Sequence, residues 1–173
     1  MSDAIRRLPK AVEADPRAAR IAARLAADPQ PLRPGGSLRI ATIPLDAALA
    51  DALRSARTAN RVRRGLESIT AALDAEAHGL AQVDRESGVA RGARLSRLLF
   101  VTNDGADRFY RHVETLLARH AARVQGLRLD ASAAELGALL FGPDAIARVV
   151  LLEHKDAVAA ALFAIAGPKD TET

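Results

Sequence analysis

The chain has 173 residues, 49% of them hydrophobic and 27% charged, with no cysteine and no tryptophan. That length buries a core without disulfide or metal staples, and the composition excludes a disordered chain. Without cysteine there is no disulfide framework, no thiol nucleophile and no cysteine-ligated zinc or iron–sulfur centre. The longest apolar runs, 148–152 and 157–166, fall far below the about 20 residues of a bilayer span. No apolar block follows Arg6, Arg7 and Lys10, so the expectation is a cytoplasmic protein with no secretory signal and no membrane partner.

Arginine outnumbers lysine 22 to 3 and alanine reaches 39 residues, a bias that a GC-rich genome alone produces. The charge is also uneven: residues 1–97 carry 17 basic against 11 acidic side chains, and residues 98–173 carry 8 against 10. A basic half beside a mildly acidic one points to a polyanion as partner for the first half.

Residues 1–36 read as a helical N-terminal extension and linker, and 37–173 as the main domain. Asp15-Pro16 pairs an N-cap with a proline at the first helical position, and Ile21 and Leu25 lie one turn apart. Pro29, Pro31, Pro34, Gly35 and Gly36 break the pattern over about 28–37. Leu38, Ile40 and Thr42 alternate with Arg39 and Ala41 as a short edge strand does. From Leu45 the period is helical: Leu45, Leu49, Leu53 and Ala56 form one stripe, and Leu66, Ile69 and Leu73 resume it after Gly65. One long helix and two helices broken near Gly65 both fit this spacing. Residues 84–94 read as a polar loop.

The second half is the most regular. Leu98–Thr102 is an apolar strand ended by Asn103-Asp104-Gly105, and Phe109, Val113, Leu116 and Leu117 line an amphipathic helix. Val124–Leu129 is a second strand, followed by a helix through Leu136, Leu139 and Leu140 that stops at Gly142-Pro143. Residues 148–152 form a third strand, and Ala157–Ile165 a final helix. Continuous apolar strands alternating with helices imply a sheet covered on both faces, a three-layer α/β/α sandwich.

Several local motifs carry a resemblance. Arg63-Arg64-Gly65-Leu66-Glu67-Ser68-Ile69-Thr70-Ala71-Ala72-Leu73 resembles the G-x-N-E-x-T-K-x-L segment of the kink-turn-binding ribosomal-protein superfamily, matching at Gly65 and Thr70. Glu67, Ser68 and Ala71 stand where that family has asparagine, glutamate and lysine. Leu98–Gly105 is similar to the family's strand and acidic turn, and Ala134-Glu135-Leu136-Gly137 with Gly142 to its E-L-G-x-x-x-G helix. The resemblance spans roughly residues 57–166. It implies an α/β/α sandwich that binds structured RNA at the helix opened by Gly65 and Ser68, and at the loop Glu153-His154-Lys155 after the last strand.

The residues themselves offer three functions. Arg54, Arg57, Arg61, Arg63 and Arg64 are the densest basic stretch, and on a continuous helix Arg54, Arg57, Arg61 and Arg64 share one face that tracks phosphates. Structured RNA or a ribonucleoprotein is then the partner, with no catalytic residue, metal or cofactor. Alternatively, the amphipathic segment 45–80 docks a partner helix. A third reading is a small α/β hydrolase-like enzyme in which Asp104, Asp130, Glu153 and His154 converge at strand ends. Against that, Asp104 and Asp156 are placed to cap the helices that follow them. No HExxH, Walker A, G-x-G-x-x-G or G-x-S-x-G motif is present.

Overall fold

The structure, a computed structural model, describes residues 6–88 and 92–168. The first half contains α1 (Lys10–Glu13), α2 (Ala18–Leu25), β1 (Gln30–Pro31), β2 (Arg39–Ile40), β3 (Thr42–Ile43), α3 (Ala47–Thr58), β4 (Val62–Arg64) and α4 (Leu66–Ser87). The second half contains β5 (Arg97–Val101), α5 (Asp107–Arg119), β6 (Val124–Leu129), α6 (Ala133–Phe141), β7 (Val149–Leu152) and α7 (Lys155–Ala166). Five strands make one sheet in the order β3-β6-β5-β7-β4. Strands β3, β6 and β5 are parallel, and β7 runs antiparallel to both of its neighbours. This is an α/β/α sandwich.

The strands read as unbroken apolar runs because both faces are covered, and alternate residues serve opposite layers. Leu98 and Phe100 of β5, with Val150 and Leu152 of β7, face the layer that includes Val12, Ile21, Leu53, Leu136 and Leu162. Leu99, Val101, Val149 and Leu151 face the layer of α4 and α5, through Ile69, Leu73, Val113 and Leu116. The N-terminal helices thus contribute to the first layer, α2 packing on α7. The hairpin β1–β2 lies over the second layer, where Leu32 and Ile40 are buried.

Helix starts follow the capping signals. Asp46 accepts the Leu49 N–H at 2.9 Å to open α3, and Ser132 with Glu135 forms a capping box on α6. Asp15 is not the N-cap of α2, which starts at Ala18 after Arg17 with no side-chain cap; its carboxylate instead accepts the Arg17 N–H at 2.9 Å in the turn before the helix.

Two expectations are corrected. Residues 47–73 form two helices, as the alternative broken near Gly65 has it, with a strand between them; what is corrected is the shared helix face of Arg54, Arg57, Arg61 and Arg64. Asn60 adopts φ +60° and Gly65 φ +88°, and between them Val62–Arg64 pairs with Leu152–Val150 of β7. Arg54 and Arg57 therefore lie on α3, while Arg61 precedes β4 and Arg64 ends it, so the four share no helix face. A three-residue strand is too short to impose a period of two, which is why spacing alone does not find it. The second correction concerns 84–94: α4 continues through Ser87 and is capped by Gly88 at φ +68°. Residues 89–91 of that expected loop lie outside the described residues.

Gly137 shows how closely α6 meets the segment before β7. A Cβ there would collide with the Ala145 carbonyl and come within 2.8 Å of Ile146 Cα, both backbone. Gly79, in the exposed half of α4, has nothing within 4 Å of such a Cβ. Gly137→Ala is expected to destabilise by about 2 kcal/mol through overpacking. Gly79→Ala should stabilise by about 0.8 kcal/mol through helix propensity. Urea unfolding followed by circular dichroism reads the opposite signs directly.

Candidate nucleic-acid interface

Because β7 opposes its neighbours, its C-terminal end meets the N-terminal ends of β4 and β5. The Glu153 N–H donates to the Arg61 carbonyl at 3.0 Å. Arg61 and the start of β4 thereby lie beside the loop Glu153-His154-Lys155, whereas Gly65, whose N–H donates to the Val149 carbonyl, lies at the other end of β7.

The side chains of this junction are mutually held. Arg63 donates to the Glu153 carboxylate through Nε and to Ser68 Oγ through Nη1 at 2.9 Å. Arg61 pairs with Asp156 at 3.7 Å. His154, not Asp156, caps α7: its Nδ1 accepts the Asp156 N–H at 3.1 Å, which places the proton of the neutral ring on Nε2. Lys155 opens α7 and lines a cavity of about 410 Å³ with Lys10 and Ser96. Gly65 turns the chain from β4 into α4 at a positive φ that a residue with a Cβ rarely adopts.

Strand alternation sends Arg64 the other way. Its guanidinium lies 4.5 Å from the centre of the Phe141 ring, and Nη2 donates to the Ile146 carbonyl at 3.0 Å. Arg57, from α3, lies 5.2 Å from the same ring. Among the described residues neither has a carboxylate partner. Arg54 stands apart from this cluster, paired with Asp51 one turn before it at 2.7 Å. Phe141 is absent from the sequence expectations because one aromatic at a helix end carries no signal until β4 is known to lie beside it.

The carboxylates do not assemble as the enzyme reading requires. Asn103 donates to Asp130 at 3.2 Å, so the ends of β5 and β6 do meet. Leu98 pairs with Leu152 and Val101 with Val149, however, so Glu153 and His154 lie at the opposite end of the sheet. Asp104 caps α6, accepting the Ala133 N–H at 3.0 and 3.2 Å, and does not cap α5, the helix that follows it. Among the described residues no group of three or more His, Asp and Glu side chains is arranged to hold a metal ion.

The apolar stripe of 45–80 is largely used within the chain itself. Leu49, Leu53, Ala56, Ile69 and Leu73 are buried. What α4 leaves open is a groove of about 600 Å³ against α5, where Thr70 and Ala71 face His112, Thr115 and Arg119. His120 is buried at the end of α5, its Nε2 2.9 Å from Asp74 Oδ1. His112 is exposed, so the two histidines serve different faces. No helix among the described residues is long and apolar enough to cross a membrane.

Arg119, hydrogen-bonded to Asp74 at 3.0 Å, holds that carboxyl below its ordinary value; desolvation opposes this and His120 adds to it. Glu13 is likewise lowered, first by Arg94 and then by Arg7. No protein-family model matches the chain, and no curated protein matches it in sequence.

A carboxyl whose folded pKa is depressed stabilises the fold above its ordinary pKa, and the contribution disappears as pH falls through the folded value. Wild type is therefore expected to lose the Asp74 contribution only below about pH 4. Asp74→Asn should be less stable than wild type at pH 7, and the difference should shrink at pH 3. Denaturant melts at the two pH values check this.

Proposed function

We propose that the chain is a noncatalytic RNA-binding protein that meets structured RNA, alone or in a ribonucleoprotein, through the β4–α4 junction and the loop after β7. The observation that carries this reading is the pair Arg57 and Arg64 on one Phe141 ring, without a carboxylate partner among the described residues. A guanidinium over an aromatic ring is attracted to its face and keeps N–H groups for the fork-like hydrogen bonds that suit phosphate oxygens. Supporting it, the Arg63 side chain links the two segments that the family resemblance marks as RNA contacts, donating to Glu153 and to Ser68.

Not every arginine of the stretch contributes equally. Asp156 and Glu153 offset Arg61 and Arg63, so the phosphate-facing charge rests on Arg57 and Arg64. With one tyrosine, four phenylalanines and no tryptophan, the chain lacks the aromatic platform on which single strands stack. Duplexed or folded RNA, read through its backbone, fits better. Glu67, exposed in the first turn of α4, repels a phosphate at the position where the resembled family places asparagine. The reading is therefore preference for structured RNA without strict kink-turn specificity.

Filter binding of a structured RNA at several salt concentrations tests this. Arg57→Gln with Arg64→Gln should weaken binding alike across RNA sequences. The logarithmic salt slope should fall by about 0.7–0.9 for each phosphate that is no longer neutralised. Lys155→Gln should instead change preference among RNAs. Equal slopes for wild type and the double variant, or no binding at low salt, would overturn the proposal.

A further inference from the structure

The starts of β5 and β6 hold another basic assembly, built from residues far apart in sequence. A cavity of about 700 Å³ is lined there by Lys10, Asp84, Arg94, Ser96 and Arg123. The cavity at Lys155 shares Lys10, Arg94 and Ser96 with it.

The positive charge here exceeds its compensation. Arg97 and Arg123 share a single carboxylate, Glu76, at 3.2 and 3.0 Å. Arg7 and Arg94 share Glu13, at 2.6 and 2.7 Å. Each shared carboxylate leaves one cation over, and Lys10 has no carboxylate partner among the described residues. Asp84 in the wall offsets only part of this excess.

Two donors in the same wall are unsatisfied. Ser96 Oγ and Arg123 Nη1 are buried and, among the described residues, lack a hydrogen-bond partner, an exception in folded proteins that calls for a reason. The Ser96 N–H donates to the Arg123 carbonyl at 2.9 Å, which ties the two backbones together and leaves the Ser96 hydroxyl free to rotate, while Nη2 of Arg123 bonds Glu76. Arg94 is oriented by the Leu8 carbonyl at 2.6 Å as well as by Glu13.

We propose that this cavity binds a phosphoryl group, a phosphate monoester, with Lys10 and Arg94 supplying charge and Ser96 Oγ and Arg123 Nη1 supplying hydrogen bonds after a rotamer turn toward the ligand. A tetrahedral dianion takes donors from several directions at once, as a hydroxyl, an ammonium and two guanidinium groups on separate elements require. The chemistry is shared by the terminal phosphate of a nucleic acid and by a small phosphorylated molecule. The inference stands on residues other than Arg57 and Arg64, and does not depend on the RNA reading.

The full ¹⁵N-labelled chain is titrated with inorganic phosphate and, at matched ionic strength, with sodium chloride. Phosphate alone should shift the amide resonances of Lys10, Ser96 and Arg123 saturably. Lys10 is exposed, so Lys10→Gln should fold normally and bind phosphate about tenfold more weakly, as removal of one charge-assisted hydrogen bond predicts. Ser96→Ala should weaken phosphate binding while raising the melting temperature, because it removes an unsatisfied buried hydroxyl. An oligoribonucleotide with a 5′-phosphate, compared with its 5′-hydroxyl twin, separates the sources. Tighter binding of the phosphorylated strand, abolished in Lys10→Gln, identifies a terminal phosphate; phosphate binding without that discrimination identifies a small phosphorylated molecule. Absence of saturable shifts, or undiminished phosphate affinity in both variants, would overturn the site.

Discussion

Strand β7 lies between β5 and β4, hydrogen-bonded to both, with all four of its side chains buried. It is the most enclosed strand of the sheet and it runs against its neighbours. That single reversal decides which loops meet. The loop after β7 joins the entries to β4 and β5, bringing Glu153, His154 and Lys155 to Arg61, Arg63 and Ser96. The same reversal removes Glu153 and His154 from Asp104 and Asp130, whose strands end at the opposite side. In a fully parallel sheet, ligands are met where the strands end together. Here the chemistry-bearing groups gather instead where one strand ends and three begin.

The arginines at that end are positioned more than they are stabilising. Exposed ion pairs contribute about 0–1 kcal/mol each, so Arg61–Asp156 and Arg54–Asp51 add little to the fold. Their effect is to set where positive charge remains. Arg63 is neutralised by Glu153, whereas Arg57 and Arg64 keep their charge on an aromatic face, and the paired guanidiniums on Glu13 and on Glu76 leave an excess near Lys10. The net charge of +4 says nothing of this pattern. It emerges only from which carboxylates are shared.

The second half of the fold was legible because its signals are long and redundant. Leu98–Val101 and Val149–Leu152 are apolar on both faces, Val124–Leu129 is apolar except at Gln125 and Arg128, and the helices that follow carry apolar stripes. The first half was legible only in its stripes. Three residues at Val62–Arg64 carry no period of their own, so the strand between α3 and α4 is visible only once β7 is in place to pair with it. The placement of the expected contact residues follows from strand pairing and not from helical spacing. Arg63 meets Glu153 from an edge strand and links it to Ser68, whereas Arg64 turns to Phe141 and Gly65 lies beside Val149 at the other end of β7. Lys10, Arg94, Ser96 and Arg123 have no linear signature at all, since they converge from α1, the approach to β5 and the turn before β6.

Strand β4 closes the sheet at one edge, and its arginines have an obvious structural use there. A short, charged edge strand resists pairing with another chain. That role requires only charge, and freely solvated side chains fill it best. Arg63 and Arg64 are not free: one is divided between Glu153 and Ser68, the other between Phe141 and the Ile146 carbonyl. Ordering such a side chain costs up to about 2 kcal/mol of rotamer entropy. Edge protection gains nothing from that constraint, because a mobile cation blocks pairing as well as a fixed one. Presentation of a guanidinium edge in a set direction does gain from it, since the ligand then meets a donor already ordered. The contacts of Arg64 with Phe141 and the Ile146 carbonyl are thus more than edge protection requires.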